Sequence, residues 1–442
     1  MIFSSIEFII FFIIFTLSLK LLKKFQQNLI ILLSLFFYAF WNISFVLLIL
    51  YFCGATYVFI KKNYYLKTSI FIIILPLIYF KYSTFLFNTL HLDYLKSFAY
   101  GGEIPLAISF ITFTSVALLV DIKNREFNEE LTFTNFSEFI VYFPQLIAGP
   151  ILRAKELVPQ LKNKIYFKKN NIRFGIFLFL IGFIKKVFFA DNISSFIDPF
   201  FQNPDLFTSQ DLLKGYLLFP LQIYFDFSGY IDMALGASIF LGIKLPINFN
   251  KPYLTGSLTN FWRNWHITLS SWFRDYLYIP MGGSKKGNNR LFFNLIITMS
   301  LAGLWHGASV NFIIWGFLNG LILYFEKIFI KNHKDTILKI IINCFLIFNL
   351  WLIFRIDNIF NLVNYFNILY HDFFNLFTLE NLYILIFSIL CVLSQKIDNY
   401  ETIKRFSSDI SLLKLIPFFI IVIITGLAIS AGHSDKFIYF DF

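Results

Sequence analysis

The chain has 442 residues, of which 58% are hydrophobic and only 14% are charged, and its formal net charge is +11. Soluble domains carry about 25% charged residues, so this composition excludes an ordinary soluble protein and indicates an integral membrane protein in contact with the lipid bilayer. The lysines and arginines lie between apolar runs, as in cytoplasmic loops, and the positive charge therefore does not indicate a nucleic-acid-binding surface.

The apolar runs predict an all-α, polytopic membrane bundle, because the sequence shows no alternating strand pattern of about ten residues. At about 20 residues per crossing we expect about 11 spans, several of them short, broken or re-entrant. The expected organisation is one membrane domain over residues 1–442, with N-terminal spans in 1–100, a catalytic core at about 104–330, and C-terminal spans and a tail in 337–442. The predicted spans are residues 2–19, 29–41 with 43–60, 69–90, 104–121, 172–190, 211–243 with a break near Pro220 and Gly229, 291–305, 309–330, 337–356, 382–397 and 414–431.

The first apolar run is expected to be a retained span. It is followed rather than preceded by three lysines between positions 20 and 24, and it lacks the small-residue cleavage site of a signal peptide. The three cysteines are each isolated in apolar sequence, so we expect them to be packing residues and expect no metal site. They are Cys53, Cys344 and Cys391.

The distribution of charge predicts the orientation of the chain. Basic segments between spans are expected on the cytoplasmic side, whereas the acidic segments 191–210 and 357–381 are expected outside, with both termini. A helix that starts at Leu291 on the cytoplasmic side would extend about 22 Å into a core about 30 Å thick before the chain turns near His306. His306 is therefore predicted to lie deep in the membrane, nearer the outer face.

His306, in the sequence Gly303-Leu304-Trp305-His306-Gly307, is the strongest candidate for a catalytic residue. An ionisable ring within a membrane is costly and is rarely found there without a partner or a function. Imidazole is suited to taking and giving a proton near neutral pH, and the adjacent glycines allow other atoms to approach it closely. The alternative is a histidine that only forms a hydrogen bond across a helix pair.

The segment Trp262 to Gly283 is rich in tryptophan, arginine and tyrosine. One interpretation is an amphipathic segment at the membrane interface, anchored by its aromatic residues. The other is a polar cavity lined by paired charges. Arg263 and His266 are three residues apart and are expected on one helical face, with Trp262 and Trp265 on an adjacent stripe.

Two carboxylates, Asp226 and Asp232, interrupt an apolar run and cannot both face lipid cheaply. Either could orient a catalytic histidine, or they could pair with Arg263 or Arg274. We favour the structural pairing. Arg274 could also pair with the neighbouring Asp275 and anchor the turn that precedes Pro280.

Five motifs in this order resemble the membrane-bound O-acyltransferase (MBOAT) family. The resemblance is to its bacterial branch, which contains the membrane subunits of alginate and peptidoglycan O-acetylation and the D-alanyl exporter of teichoic acids, and it covers nearly the whole chain. The motifs are Ser109-Phe110, Gly149-Pro150, Asp226-Phe227-Ser228-Gly229, the segment Trp262 to Gly283, and Trp305-His306-Gly307.

The resemblance implies that His306 is the catalytic histidine and that His266 occupies the second motif position. It also implies a helical bundle around a central tunnel or funnel, with a thioester donor on one side and a hydroxyl acceptor on the other. The sequence departs from the family pattern at Asn264, where arginine is commoner, and at Asn319, where histidine is frequent; both departures could alter substrate choice. The residues expected to bind substrate or line the tunnel are Arg263, Trp305, Ser109, Gln145, Asp226, Ser228 and Asn264.

The chain ends in alternating aromatic residues, Phe437-Ile438-Tyr439-Phe440-Asp441-Phe442. One interpretation is an anchor at the membrane interface. The other is that Tyr439 accepts the acyl group and relays it to an acceptor outside, because a similar tyrosine-centred motif occurs in this bacterial branch or in its partner peptides.

These observations predict an O-acyltransferase of the bacterial cytoplasmic (inner) membrane. It would move an acetyl group from a cytoplasmic thioester, with acetyl-CoA as the expected co-substrate and no bound cofactor, towards a cell-envelope polysaccharide such as peptidoglycan or an exopolysaccharide. An extracytoplasmic SGNH-type transferase is the expected partner. D-alanyl transfer from a carrier protein to teichoic acid is the alternative within the family, and a transporter with His306 as a proton relay is the alternative from another class. The polar features of residues 220–320 have no second copy, which argues against an inverted-repeat transporter.

Overall fold

The computed structural model describes residues 1–146, 149–330, 335–356, 358–371 and 378–430. Within these residues the chain is helical, and they contain no β-strand. The α-helices are α1 (Ile6–Leu21), α2 (Gln26–Ala39), α3 (Val46–Lys61), α4 (Leu66–Leu77), α5 (Ser83–Thr89), α6 (Ile108–Lys123), α7 (Phe133–Val141), α8 (Phe143–Leu146), α9 (Ala154–Leu161), α10 (Lys169–Phe183), α11 (Asp191–Gln202), α12 (Ser209–Phe240), α13 (Leu258–Asn264), α14 (Ile267–Phe273), α15 (Gly287–His306), α16 (Val310–Phe329), α17 (Ile337–Arg355), α18 (Ile359–His371), α19 (Leu379–Ser394), α20 (Tyr400–Asp409) and α21 (Leu412–Ser430). Wider π-helical turns occupy Ile78–Tyr82, Ile184–Ala190 and Arg274–Tyr278, and 3-10 turns occupy Lys23–Phe25, Ile43–Phe45, Asp93–Phe98, Pro204–Leu206 and Pro252–Leu254.

Several described helices have the length and composition of membrane spans. An apolar stretch of about 20 residues is long enough to cross the hydrocarbon core. The stretches that meet this requirement are Ile43–Lys61, Leu66–Thr89, Val310–Phe329, Ile337–Arg355 and Leu412–Ile429. They agree with the expected all-helical membrane protein, whereas the larger number of about 11 spans stays a prediction.

The predicted break near Pro220 and Gly229 is wrong, because α12 runs without interruption from Ser209 to Phe240. A proline is tolerated inside such a helix when neighbouring groups satisfy the freed backbone atoms. Gly229 is a packing position, since a Cβ atom there would lie 2.7 Å from the carbonyl oxygen of Gly182. Gly229 was therefore interpreted as part of a turn, whereas it allows two helix backbones to approach closely.

The described chain forms two compact units, and each is considered by itself. The first comprises Met1–Leu180, Tyr230–Pro246 and Ser407–Phe419; the second comprises Ile181–Gly229, Ile247–Phe406 and the described residues from Ile420 onward. The expected division of the chain into a core and two sets of flanking spans stays a prediction.

The first unit is built around the ring of Phe143, which is fully buried. Its centroid lies 5.4 Å from that of Phe11, 5.0 Å from that of Phe15 and 5.4 Å from that of Phe37. Aromatic pairs at such distances contribute about 0.5–1.5 kcal/mol each beyond the burial of their area. The many phenylalanines of this unit thus join α1, α2 and α8 in one core.

The second unit contains a tight hairpin of α15 and α16. A Cβ atom at Gly303 would lie 2.0 Å from the carbonyl oxygen of Phe312, and one at Gly316 would lie 2.1 Å from that of Met299. Small residues at such positions let membrane helices approach at backbone distance. Because neither helix can shift without a clash, the end of α15 is held firmly, and His306 is its last residue.

Candidate functional site

His306 is 3% exposed and lies among aromatic rings. Its ring centroid is 4.9 Å from that of Trp305, 5.3 Å from that of Trp315 and 5.1 Å from that of Phe354, each in an edge-to-face arrangement. The packed rings fix the plane of the imidazole and surround it with a medium of low polarity. Electrostatic interactions with a reacting group are stronger in such a medium than in water.

A cavity of about 330 Å³ reaches His306. Its walls come from α13, α14, α15 and α16, all within the second unit. On α15 the lining residues are Leu295, Thr298, Met299, Ala302 and His306, which recur at helical spacing along a single stripe. This stripe rises by about 16 Å from Leu295 to His306.

Three cations line the same cavity and are exposed at the surface of the protein: Arg263, Arg274 and Lys327. Nε of Arg274 lies 2.7 Å from a carboxylate oxygen of Asp275, as the sequence suggested. Arg263 and Lys327 have no ion-pair partner among the residues that the structure describes. The cavity therefore connects uncompensated surface cations, which attract anions, with a buried imidazole.

The expectation that Arg263 and His266 share one helical face is wrong. Helix α13 ends at Asn264, and His266 has left-handed backbone geometry (φ 42°) before α14 begins at Ile267. The break is stabilised by Asn248, whose backbone oxygen accepts from the N–H of Ile267 (3.1 Å) and whose side-chain oxygen accepts from the N–H of the next residue (3.1 Å). Arg263 is consequently exposed on the cavity wall, whereas His266 is fully buried.

His266 lies close to His306 but does not contact it through a hydrogen bond. Its ring centroid is 4.7 Å from that of Phe227 and 5.8 Å from that of Trp305. Neither of its ring nitrogens has a hydrogen-bond partner among the described residues. Because an unpaired buried charge is strongly unfavourable, the ring is neutral in this arrangement. The ring of Trp305 thus packs against both histidines.

Asp226 is part of a buried ion cluster. Nζ of Lys186 lies 2.7 Å from Asp226 and 2.7 Å from Asp191, and these three side chains are 2%, 4% and 12% exposed. Next to it, Nζ of Lys185 lies 2.6 Å from Asp398. The sequence suggested arginine partners for Asp226, whereas its partner is Lys186. Two adjacent lysines inside the apolar run 172–190 were a signal of buried partners.

Other residues singled out from the second unit lie outside the cavity wall. Ser228 is 1% exposed, and its hydroxyl has no hydrogen-bond partner among the described residues. Nδ2 of Asn264 donates to the carbonyl oxygen of Asn260 (2.8 Å), one turn earlier in α13. Trp305 is 5% exposed and packs against both histidines. Of the predicted site residues that the structure describes, only His306 and Arg263 line the cavity.

The first unit holds two of the predicted residues. Ser109 is buried in α6. Gln145 is buried in α8, and its Nε2 donates to the carbonyl oxygens of Phe139 and Ile140, the latter at 2.9 Å. Gln145 therefore binds the end of α7, which is a structural role. Tyr439 lies outside the described residues.

Thr298 and Lys327 were not predicted from the sequence as site residues, although both line the cavity. Thr298 lies in an apolar run with no local polar signal. Lys327 was counted only among the cytoplasmic charges, since its position at the end of a span is also where a lysine marks orientation. Only the packing of α15 against α16 places them on the wall of the cavity that reaches His306.

The family model of the membrane-bound O-acyltransferases (MBOAT) matches residues 30–363, well over half of the chain. The chain belongs to this family. The match contains the whole stripe of α15 and all three cavity-lining cations. It confirms the resemblance found in the sequence, and the protein is an acyltransferase.

Relatives of this MBOAT protein are named for the acylation of alginate, peptidoglycan and teichoic acid. It is 37% identical over 366 residues to the probable alginate O-acetylase of Pseudomonas aeruginosa, with 76% of this chain and 68% of that protein covered. It is 39% identical over 334 residues to the peptidoglycan O-acetyltransferase of Helicobacter pylori, with 66% and 63% covered. It is 32% identical over 260 residues to the teichoic acid D-alanyltransferase of Bacillus subtilis, with 54% and 65% covered. The matched parts span about two-thirds of the length of these relatives.

Proposed function

We propose that this MBOAT protein binds an acyl thioester in the cavity and transfers its acetyl group for O-acetylation of a cell-envelope polysaccharide. The observation that carries this proposal is the cavity itself, which joins the exposed cations Arg263 and Lys327 to the buried ring of His306. The relatives named as O-acetylase and O-acetyltransferase favour acetyl as the transferred group.

The dimensions of the cavity suit a phosphopantetheine thioester. This arm is an extended chain with a phosphate at one end and the thioester at the other, and its length is comparable to the rise of about 16 Å along α15. The phosphate would lie beside Arg263 and Lys327, and the thioester carbonyl would lie beside His306. Coenzyme A and a carrier protein both present this arm, and acetyl-CoA is the expected donor.

His306 would act as the general base. It takes the proton of the acceptor hydroxyl while the oxygen attacks the thioester carbonyl, and it returns the proton to the departing thiolate, so that an ester and a free thiol are formed. Proton transfer by a positioned side chain contributes about 10²- to 10⁴-fold to a rate. Backbone N–H groups near Gly307 are proposed to stabilise the oxyanion, and His266 is proposed to support His306 through Trp305.

The topology proposed from the charge distribution places donor and acceptor on opposite sides. The basic segments put the cavity cations on the cytoplasmic side of a bacterial inner membrane, and His306 nearer the outer face, with both termini outside. About 11 spans around a central tunnel or funnel would then surround the reaction path. Asp226, Ser228 and Asn264 are proposed to support the helices beside it, and an extracytoplasmic SGNH-type transferase is the proposed partner for the polysaccharide.

The proposed function is tested with purified protein in proteoliposomes. Acetyl-CoA with a labelled acetyl group on the side of the basic loops should yield labelled ester on a hydroxyl acceptor on the other side. Transport of an intact solute without any thioester would instead support the transporter alternative. Transfer of D-alanine from a charged carrier protein, with no use of acetyl-CoA, would support the alternative suggested by the D-alanyltransferase relative.

The exposed cations Arg263 and Lys327 should control donor affinity. Arg263→Ala and Lys327→Ala are each expected to raise the KM for acetyl-CoA by about tenfold or more at unchanged kcat, because each removes one charge-assisted contact to phosphate. The dependence of KM on salt concentration should also become weaker. Lys285→Ala, which removes an exposed charge outside the cavity, is the matched control. An equal rise of KM in that control would show that only net charge matters.

Tyr439 is proposed to carry the acyl group onward to the outside. Tyr439→Phe removes only the phenolic oxygen and is expected to abolish transfer to the outside acceptor while leaving the amount of folded protein unchanged. Mass spectrometry of protein incubated with acetyl-CoA should show an acetyl group on Tyr439. Tyr383→Phe, at an exposed tyrosine, is the control. Full transfer activity in Tyr439→Phe would rule out the relay.

A further inference from the structure

Helix α13 supplies one wall of the cavity although it cannot be stable by itself. It has seven residues, whereas isolated helices shorter than about 12 residues are marginal in water. Three of its residues, Thr259, Trp262 and Arg263, line the cavity at spacings of three and four. The position of Arg263 is therefore determined by whatever holds α13 to the rest of the unit.

A carboxylate from α16 binds the beginning of α13. One oxygen of Glu326 accepts from the N–H of Leu258 (2.6 Å), and the other accepts from the N–H of Thr259 (2.8 Å) and from its hydroxyl (2.8 Å). The next two N–H groups of the helix are accepted by the side chain and the carbonyl oxygen of Ser257. The N–H groups of the first three residues of the helix, which have no partner in its ladder, are thus all satisfied.

A second contact ties the middle of α13 to the same helix. The indole N–H of Trp262 donates to the side-chain oxygen of Asn319 (3.1 Å), and the amide of Asn319 donates to the carbonyl oxygen of Trp315 (2.8 Å). Asn319 and Glu326 are seven residues apart and lie on one face of α16. Because α16 also packs against α15 at backbone distance, these contacts set the distance between Arg263 and His306.

Helix α13 has a capping residue without the carboxylate of Glu326. Ser257 already stands at the usual capping position, and a serine alone stabilises most helix starts. Glu326 is 8% exposed, so its charge is largely removed from water, which is unfavourable unless several donors compensate. Three hydrogen bonds and the positive end of the helix dipole provide that compensation here. The buried carboxylate thus holds the first turn of α13 in place.

We propose that Glu326 is a positioning residue for the donor: by fixing the first turn of α13 with both carboxylate oxygens, it holds Arg263 where the donor phosphate binds. This inference rests on the proposed function of the cavity. Glu326 itself does not line the cavity and acts through Arg263.

Glu326→Gln is the first test. The amide group of glutamine would place a donor against a backbone N–H, so α13 should start less firmly. The Kd for coenzyme A and the KM for acetyl-CoA are expected to rise by about tenfold at nearly unchanged kcat. Asp335→Asn is the matched control, because Asp335 accepts from the N–H of Gly256 (2.7 Å), just before the cap. It should leave the Kd unchanged.

A double-mutant cycle shows whether Glu326 acts through Arg263. If it does, adding Glu326→Gln to Arg263→Ala should raise the Kd by less than about twofold, because the positioned group is already absent. Independent, multiplying effects, or an unchanged Kd in folded Glu326→Gln protein, would overturn the inference. Should that variant fail to fold, Glu326→Asp, which keeps the charge on a shorter chain, is measured in the same cycle. An unchanged Kd in Arg263→Ala would refute the donor site and hence the proposed function.

Discussion

His306→Ala is expected to lower the rate of acyl transfer by about 10²- to 10⁴-fold, the contribution of a positioned general base. The imidazole is buried at the end of the cavity, so without it no described side chain that lines the cavity could take the proton near neutral pH. The measurement is the rate of acetyl transfer from acetyl-CoA by protein purified from membranes. The amount inserted in the membrane should not change, since the hairpin of α15 and α16 is held by its glycines.

A cavity left by the missing ring could lower the rate for a different reason, because the ring packs against Trp315 and Phe354. His306→Phe retains an aromatic ring and should be equally inactive. His371→Ala, at an exposed histidine, should retain full activity. Substantial activity in His306→Phe would show that the ring is needed for packing rather than for proton transfer.

The sequence predicted the long apolar helices well. The expected spans 291–305 and 309–330 correspond to α15 and α16, because apolar runs bounded by a turn determine such helices locally. It predicted a break in α12 that does not exist, since close helix packing and a turn both use glycine and proline. A packing glycine and a turn glycine differ in the groups that pack against them. A single sequence does not show those groups.

The sequence predicted those site residues that can be recognised from their immediate neighbours in the chain. His306 could be found because a histidine within apolar sequence is unusual wherever it lies. The relative position of Arg263 and His266 could not be predicted, because the helix ends between them. This break is stabilised by Asn248, which is distant from both in the sequence. Helical spacing predicts a shared face only where the helix continues. The role of Glu326 was hidden for the same reason, since its partners lie in another helix.

Lys186→Met is expected to destabilise the protein by about 3–5 kcal/mol, the usual effect of removing one partner from a buried ion pair. Two carboxylates, those of Asp191 and Asp226, share this ammonium group at 2.7 Å each. Without it both buried carboxylates would lose the ammonium group that they share. The midpoint of thermal unfolding in detergent should fall clearly, and activity per folded molecule should be retained because the cluster does not line the cavity.

Removing all three charges together distinguishes an electrostatic cause of the lost stability from a loss of packing. In the triple variant Lys186→Met, Asp191→Asn, Asp226→Asn no buried charge lacks a partner, so most of the lost stability should return, as expected when a whole buried ion network is replaced. Lys96→Met breaks the exposed pair with Asp93, whose side chains are 49% and 76% exposed, and should have almost no effect. If the triple variant were as unstable as Lys186→Met, the lysine would stabilise the protein through the packing of its side chain. If Lys186→Met unfolded at the same temperature as the unaltered protein, the carboxylates would have to be neutralised by protonation or reached by water.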